Sequence, residues 1–124
     1  MATVELNKEN FENTISSNNL VLVDFWAAWC GPCRNFAPVY ERASEKHTDV
    51  VFGKVNTEEQ RELAQTFQIR SIPTLMIFRE QIIIFSQAGS LPEQALTEVI
   101  EKAKNLDMDL VRAEIAKQQD EAVS

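Results

Sequence analysis

The sequence predicts one α/β domain built on a mixed β-sheet with helices on both faces. Three observations carry that expectation. Apolar, β-branched runs alternate with segments of helical periodicity along most of the chain. The run at 20–26 (LVLVDFW) is nearly unbroken, as in a strand of a parallel sheet covered on both sides. The last two runs are separated only by Arg79, Glu80 and Gln81, too short a link for a crossover, so they close as an antiparallel hairpin. At 124 residues the chain has the size of a single domain.

Taken in order, Thr3 to Leu6 reads as a short strand, and Asn7 can cap a helix reaching about Ser17, with Phe11 and Ile15 one turn apart. Leu20 to Trp26 is the buried strand. Arg34 to Lys46 is helical, since Phe36, Val39, Tyr40 and Ala43 fall at i, i+3, i+4 and i+7. Val50 to Val55 is a second buried strand. Glu58 to Phe67 is a helix with Leu63, Ala64 and Phe67 on one face. Thr74 to Phe78 and Ile82 to Phe85 form the hairpin, whose turn lacks the Asn-Gly or Asp-Gly signal of a tight turn. Ser90-Leu91-Pro92-Glu93 has the pattern of a capping box and opens a helix with Leu96, Val99, Ile100 and Ala103 inward. Helices between the first three strands force those strands to pair in parallel.

Twelve Lys and Arg stand against nineteen Asp and Glu, a net charge of −7. Such a surface repels phosphate backbones, which argues against nucleic acid as the main partner. No apolar run approaches the about 20 residues of a membrane span. The first twenty residues carry Glu5, Lys8, Glu9 and Glu12 and no secretory apolar region, so a cytoplasmic location is expected. The acidic segment 105–124 holds five acids and two bases. We expect a domain at 1–104 followed by a helical extension at 105–124. In that extension Leu106, Leu110 and Ala113 continue the spacing of the preceding helix, or Asp107 or Asp109 starts a separate one. A frayed tail and a docking or dimerising helix are both open.

Two cysteines are too few for a disulfide scaffold, and their spacing is what matters. Trp29-Cys30-Gly31-Pro32-Cys33 follows a buried strand and opens a helix. Cysteines at i and i+3 across a tight turn can reach disulfide geometry. Free N–H groups and the positive end of the helix dipole favour a thiolate there, lowering a thiol pKa from about 8.5. Gly31 permits a tight turn and Pro32 stiffens it. Cys30, placed outermost, is the expected attacking sulfur, with Cys33 a turn deeper. Half of a zinc site is the competing reading, but the chain offers only His47 besides the two cysteines where structural zinc takes four ligands. Asp24, on the strand face of Leu22 and Trp26, is expected to be buried and to hold its proton above the usual carboxylate range.

The chain resembles the thioredoxin family over roughly Val4 to Lys104. The resemblance is carried by Asp24-Phe25-Trp26-Ala27, the Trp29 to Cys33 pentapeptide, Ala37-Pro38, Lys54-Val55-Asn56, Ile69-Arg70-Ser71-Ile72-Pro73-Thr74 and Gly89. It implies the thioredoxin fold and a protein-disulfide reductase that keeps cellular thiols reduced. It further implies that Asp24 exchanges a proton with Cys33, that Lys54 neighbours this carboxylate, and that Pro73 is cis and faces the cysteines. Trp29, Ile72, Ala88 and Gly89 would then form the apolar surface that receives an extended substrate segment. Gly31 and Pro32 between the cysteines resemble the reducing branch of the family rather than its oxidants, which carry histidine there. No bound cofactor or metal is expected. Electrons are expected from NADPH through thioredoxin reductase, partners are expected to be disulfide-containing proteins, and the chain is expected to be a monomer. Departures from the family pattern are Ala28 for an acidic residue, Glu80-Gln81 for an Asn-Gly turn and Gln68 for glycine. The rival from another class is a binding or holdase module that does not use its cysteines.

Overall fold

A computed structural model describes residues 2–123. Its strands are β1 (Thr3–Glu5), β2 (Leu20–Trp26), β3 (Val51–Asn56), β4 (Thr74–Arg79) and β5 (Ile82–Ala88). The helices are α1 (Phe11–Ser17), α2 (Gly31–Lys46), α3 (Arg61–Thr66), α4 (Glu93–Asn105) and α5 (Met108–Val123). The strands form one sheet in the order β1-β3-β2-β4-β5. β1 and β2 both run parallel to β3, while β4 is antiparallel to β2 and to β5. The sheet is therefore mixed, as its sequence pattern predicts.

β2 lies at the centre, and its alternation divides the interior. Leu20 and Leu22 join Phe36, Tyr40, Leu96 and Ile100 beneath α2 and α4. Val21, Val23 and Phe25 join Phe11, Ile15, Leu63 and Phe67 beneath α1 and α3. Each of these buried side chains contributes about 1.5–3 kcal/mol relative to exposure, so two apolar faces on one strand leave it no stable alternative to the middle of the sheet. Tyr40 adds a polar tie: its hydroxyl donates to the Gly53 carbonyl oxygen at 2.7 Å. A side chain on Gly53 would overlap that of Leu6, which is buried just after β1, so the absence of a side chain at 53 makes room for Leu6 in the core.

Several boundaries differ from the sequence expectation. Asn7 does not open α1 directly; its carboxamide oxygen accepts from the backbone of Glu9 and Asn10, making a turn ahead of a helix that starts at Phe11. α2 begins at Gly31, three residues before the expected start at Arg34, because the segment between the two cysteines itself supplies its first turn. α4 starts at Glu93 with Pro92 at the N-cap and no side-chain cap, so the expected capping box does not form. The Glu93 carboxylate instead takes Arg42 at 2.8 Å and Lys46 at 3.0 Å from α2. Two cations outcompete a neutral backbone N–H for one carboxylate.

The hairpin turn is two residues, Glu80 and Gln81, with φ of 51° and 69°. Positive φ at both central residues is the geometry usually filled by Asn-Gly. Glu80 is held there by its backbone N–H to the Asn19 carbonyl oxygen at 2.8 Å and by its carboxylate to Arg112. In the terminal segment α4 stops at Asn105. Asp107 then caps α5, accepting from the N–H groups of Asp109 and Leu110. Of the two alternatives the sequence left open, the separate helix started at Asp107 forms, and the continued spacing of Leu106, Leu110 and Ala113 does not: Leu110 is 68% exposed, and Met108 is the buried residue. The two-residue break rotates the helix face.

Candidate active site: a disulfide at the mouth of α2

β2 ends at Trp26, and after three further residues the chain enters α2 through Cys30. Cys30 is the N-cap residue, and its sulfur accepts the backbone N–H of Cys33 at 3.2 Å. The two cysteines are joined as a disulfide with Cα atoms 5.2 Å apart, within the range that a bridge spans without backbone movement. Exposure does not separate them, since Cys30 is 4% and Cys33 3% accessible. Position does: Cys30 Sγ lies at the helix mouth, 3.6 Å from the Ile72 carbonyl oxygen, while Cys33 shares the inward face of α2 with Phe36 and Tyr40. Gly31 is not required by strain, because its φ is not positive and an added Cβ would meet only the Arg34 guanidinium at 3.9 Å.

The opposite wall is the loop before β4. The Ile72–Pro73 bond is cis, and the Pro73 carbonyl oxygen accepts the Gly89 N–H at 2.8 Å. Gly89 has a φ of +103°, a conformation that L side chains rarely adopt, and this places the end of β5 against the proline. Ala88 pairs with Thr74 and is exposed, as is Gly89; Ile72 is half-buried and Pro73 buried. Trp29 is 67% exposed, and its indole N–H donates to Glu58 Oε1 at 2.7 Å. The structure thus brings Trp29, Cys30, Cys33, Ile72, Pro73, Ala88 and Gly89 to one end of the sheet. His47 closes the far end of α2, where its Nδ1 lies 3.0 Å from the Lys104 ammonium. Lysine can only donate, so Nδ1 is the acceptor. Among the described residues no group of three or more His, Cys, Asp or Glu could hold a metal ion.

Beneath the helix mouth Asp24 is 1% exposed, between Lys54 of β3 and Leu75 of β4. Its Oδ1 has no hydrogen-bond partner among the described residues. Burial raises its pKa from 3.8 to about 7, opposed by the weaker pull of the Lys54 charge. The Lys54 ammonium sits over the Trp26 ring, 4.9 Å from its centroid, a cation–π contact that holds it half-buried beside the carboxyl. Burial also pushes the Tyr40 hydroxyl well above its usual range, with the Asp24 charge adding to the effect. Asp24 is therefore a carboxyl that can hold or release a proton near neutral pH, on the face covered by α2.

Two contacts at this site have no sequence signal. Glu58 and Arg34 are ordinary exposed charges by composition, and only the fold places one on the Trp29 indole and the other on the Ala28 carbonyl, at 2.8 Å.

A two-residue-spaced disulfide on a helix N-terminus, facing a cis-proline loop over a buried carboxyl, defines a thiol–disulfide exchange protein. Residues 2–102 match the thioredoxin family. The chain is 62% identical over 121 residues to a Streptomyces coelicolor protein described as "Putative thioredoxin 2", covering 98% of this chain and 90% of that one. It is 45% identical over 96 residues to the thioredoxin of Alicyclobacillus acidocaldarius, covering 77% of this chain and 91% of that one. Among solved structures, a mutant thioredoxin from Halobacterium salinarum aligns with a TM-score of 0.78 at 32% identity, covering 85% of this chain and 93% of that one. The thioredoxin of Plasmodium falciparum aligns at 0.74 and 37% identity, covering 79% and 96%. This chain belongs to the thioredoxin family. It is a thiol–disulfide oxidoreductase, a protein-disulfide reductase working through a Cys30/Cys33 pair and needing no bound cofactor. No helix among the described residues is long and apolar enough to cross a membrane.

Proposed function

We propose that Cys30 is the attacking sulfur and Cys33 the resolving one, with Asp24 as proton acceptor and donor for Cys33. In the reduced protein the Cys33 N–H and the dipole of α2 stabilise a Cys30 thiolate. That thiolate attacks one sulfur of a substrate disulfide, and the other substrate sulfur leaves as a thiolate. Asp24 takes the proton of Cys33, whose thiolate then attacks Cys30 Sγ. The mixed disulfide breaks, the second substrate thiolate leaves, and the protein is left with the Cys30–Cys33 bond. Two electrons pass from the dithiol to the substrate. Pro32 stiffens the turn that holds the sulfurs together, Gly31 keeps the space beside Cys30 free of a side chain, and Lys54 limits how far the Asp24 pKa rises. Trp29, Ile72, Pro73, Ala88 and Gly89 form the docking face, where the Ile72 backbone pairs with an extended substrate segment.

Thioredoxin reductase, drawing on NADPH, is the proposed electron source, and a cytoplasmic monomer the proposed setting. The domain is taken as 1–104 with 105–124 as an extension. The observation that supports the roles is the Cys33 N–H aimed at Cys30 Sγ above a buried carboxyl with a pKa near neutrality. The test is Cys33→Ser incubated with a disulfide-bonded test protein. A covalent adduct through Cys30 that dithiothreitol releases is expected. Stable adducts with Cys30→Ser instead would reverse the assignment.

A further inference from the structure

We propose that Arg34 and Arg70 form a cationic rim around the redox pair that selects target disulfides flanked by carboxylates. The inference rests on the thiol–disulfide exchange assigned above and adds the chemistry of the preferred target. Of the six arginines, Arg42, Arg61, Arg79 and Arg112 each hold a carboxylate. Arg34 and Arg70 hold none among the described residues; Arg34 follows Cys33 in α2, and Arg70 lies on the loop that leads to Ile72. The Arg34 guanidinium is folded over the active-site turn: one nitrogen donates to the Ala28 carbonyl oxygen at 2.8 Å, and the other lies 3.9 Å from the place of a Gly31 Cβ. A single carbonyl takes one of its five N–H donors and leaves the charge uncompensated. Arg70 is exposed on the facing loop, two residues before Ile72, whose carbonyl oxygen is 3.6 Å from Cys30 Sγ. Glu58, which reaches the same face, is already engaged by the Trp29 indole at 2.7 Å and by Arg61 at 3.6 Å.

An arginine without a carboxylate on the active-site turn and another on the facing loop give an acidic target two fork-shaped donors, and a basic target two repulsions. The net charge of −7 does not cancel this locally. Charges more than about 8 Å away are largely screened at physiological ionic strength, so the groups next to the sulfurs dominate what a docked segment feels.

Three synthetic peptides, each with one intramolecular disulfide flanked by Asp, Gln or Lys, test the rim with dithiothreitol as electron donor. Each kcat/KM is divided by the rate of dithiothreitol alone on the same peptide, which removes the effect of the flanks on intrinsic reactivity. The Asp peptide is expected to exceed the Lys peptide by about three- to tenfold at moderate salt, falling toward one near 1 M salt. Arg34→Gln and Arg70→Gln should each shrink the ratio, and the double variant should abolish it. The ratio is internal to each variant, so a loss of folded protein cancels. Equal rates for the Asp and Lys peptides in the wild type, a preference for Lys, or a preference surviving in the double variant would overturn the rim. Failure of the wild type to reduce the Gln peptide above the dithiothreitol background would overturn the exchange reaction itself.

Discussion

At the scale of single residues, Asp24 connects the chemistry to stability. Its folded pKa of about 7 lies above the ordinary 3.8, so the folded state holds this proton more tightly than the unfolded one. The stabilising contribution is complete below pH 3.8 and is lost as pH rises to about 7, above which it stays lost. The gap corresponds to about 4 kcal/mol, a large part of the about 5–15 kcal/mol that separates folded from unfolded domains. Asp24→Ala should therefore resist urea better than the wild type at pH 8, by about 2–4 kcal/mol, and lose that advantage at pH 4. A variant that unfolds more readily at pH 8 would contradict the assigned burial cost. Asp24 was legible in the sequence because a lone acid inside an apolar β-branched run has nowhere to point but inward. Glu58 was not: its contact with Trp29 joins residues 29 positions apart, and nothing local distinguishes it from its neighbours Thr57 and Glu59.

At the scale of elements, the order of strands and helices was readable from periodicity, and the starts of the helices were not. α3 shows why. It closes with the N–H of Ile69 on the Ala64 carbonyl at 2.9 Å and that of Gln68 on the Gln65 carbonyl at 3.0 Å, a Schellman motif with Gln68 at φ 54°. Glycine is the usual residue at such a position, yet the apolar spacing through Phe67 marks this end to within one residue; the start, expected at Glu58, falls at Arg61 because Asn56 takes the N–H groups of Glu58 and Gln60 in a turn ahead of the helix. Left-handed backbone costs an L-residue about 1–2 kcal/mol, partly offset by the extra freedom that glycine gains on unfolding. Gln68→Gly should raise the thermal midpoint by a few degrees, worth about 0.5–1 kcal/mol; an unchanged or lowered midpoint would remove the strain from this account. The capping box failed for a different reason: the partner of Glu93 lies on another helix, beyond the reach of any pattern within α4.

At the scale of the whole molecule, the two ends of the sheet carry different duties. The sulfurs sit where β2 ends, while the hairpin turn lies at its beginning, where Leu20 pairs with Arg79. There one Arg79 nitrogen donates to the carbonyl oxygens of Ala103, Lys104 and Leu106, and Glu80 takes Arg112 of α5. Val111 and Ile115 line a groove together with Ile82 and Ile84 of β5, so α5 lies beside the edge strand and is tied to the hairpin through Arg112 and Glu80. Removing residues 107–124 should lower stability by about 1.5–3 kcal/mol, the worth of burying Met108 alone, while disulfide reduction stays within about twofold. A stable but inactive truncation would place α5 in the reaction instead. The sequence left this segment open because its apolar spacing continues that of α4, and only the cap at Asp107 resets the phase. The claim on which the chemistry depends is that Cys30 ionises more easily than a free thiol. Alkylation of the reduced protein by iodoacetamide across pH measures this directly. Modification confined to Cys30 at neutrality is expected, with a midpoint well below about 8.5. A rate at neutrality no greater than that of free cysteine, or equal labelling of Cys33, would contradict it.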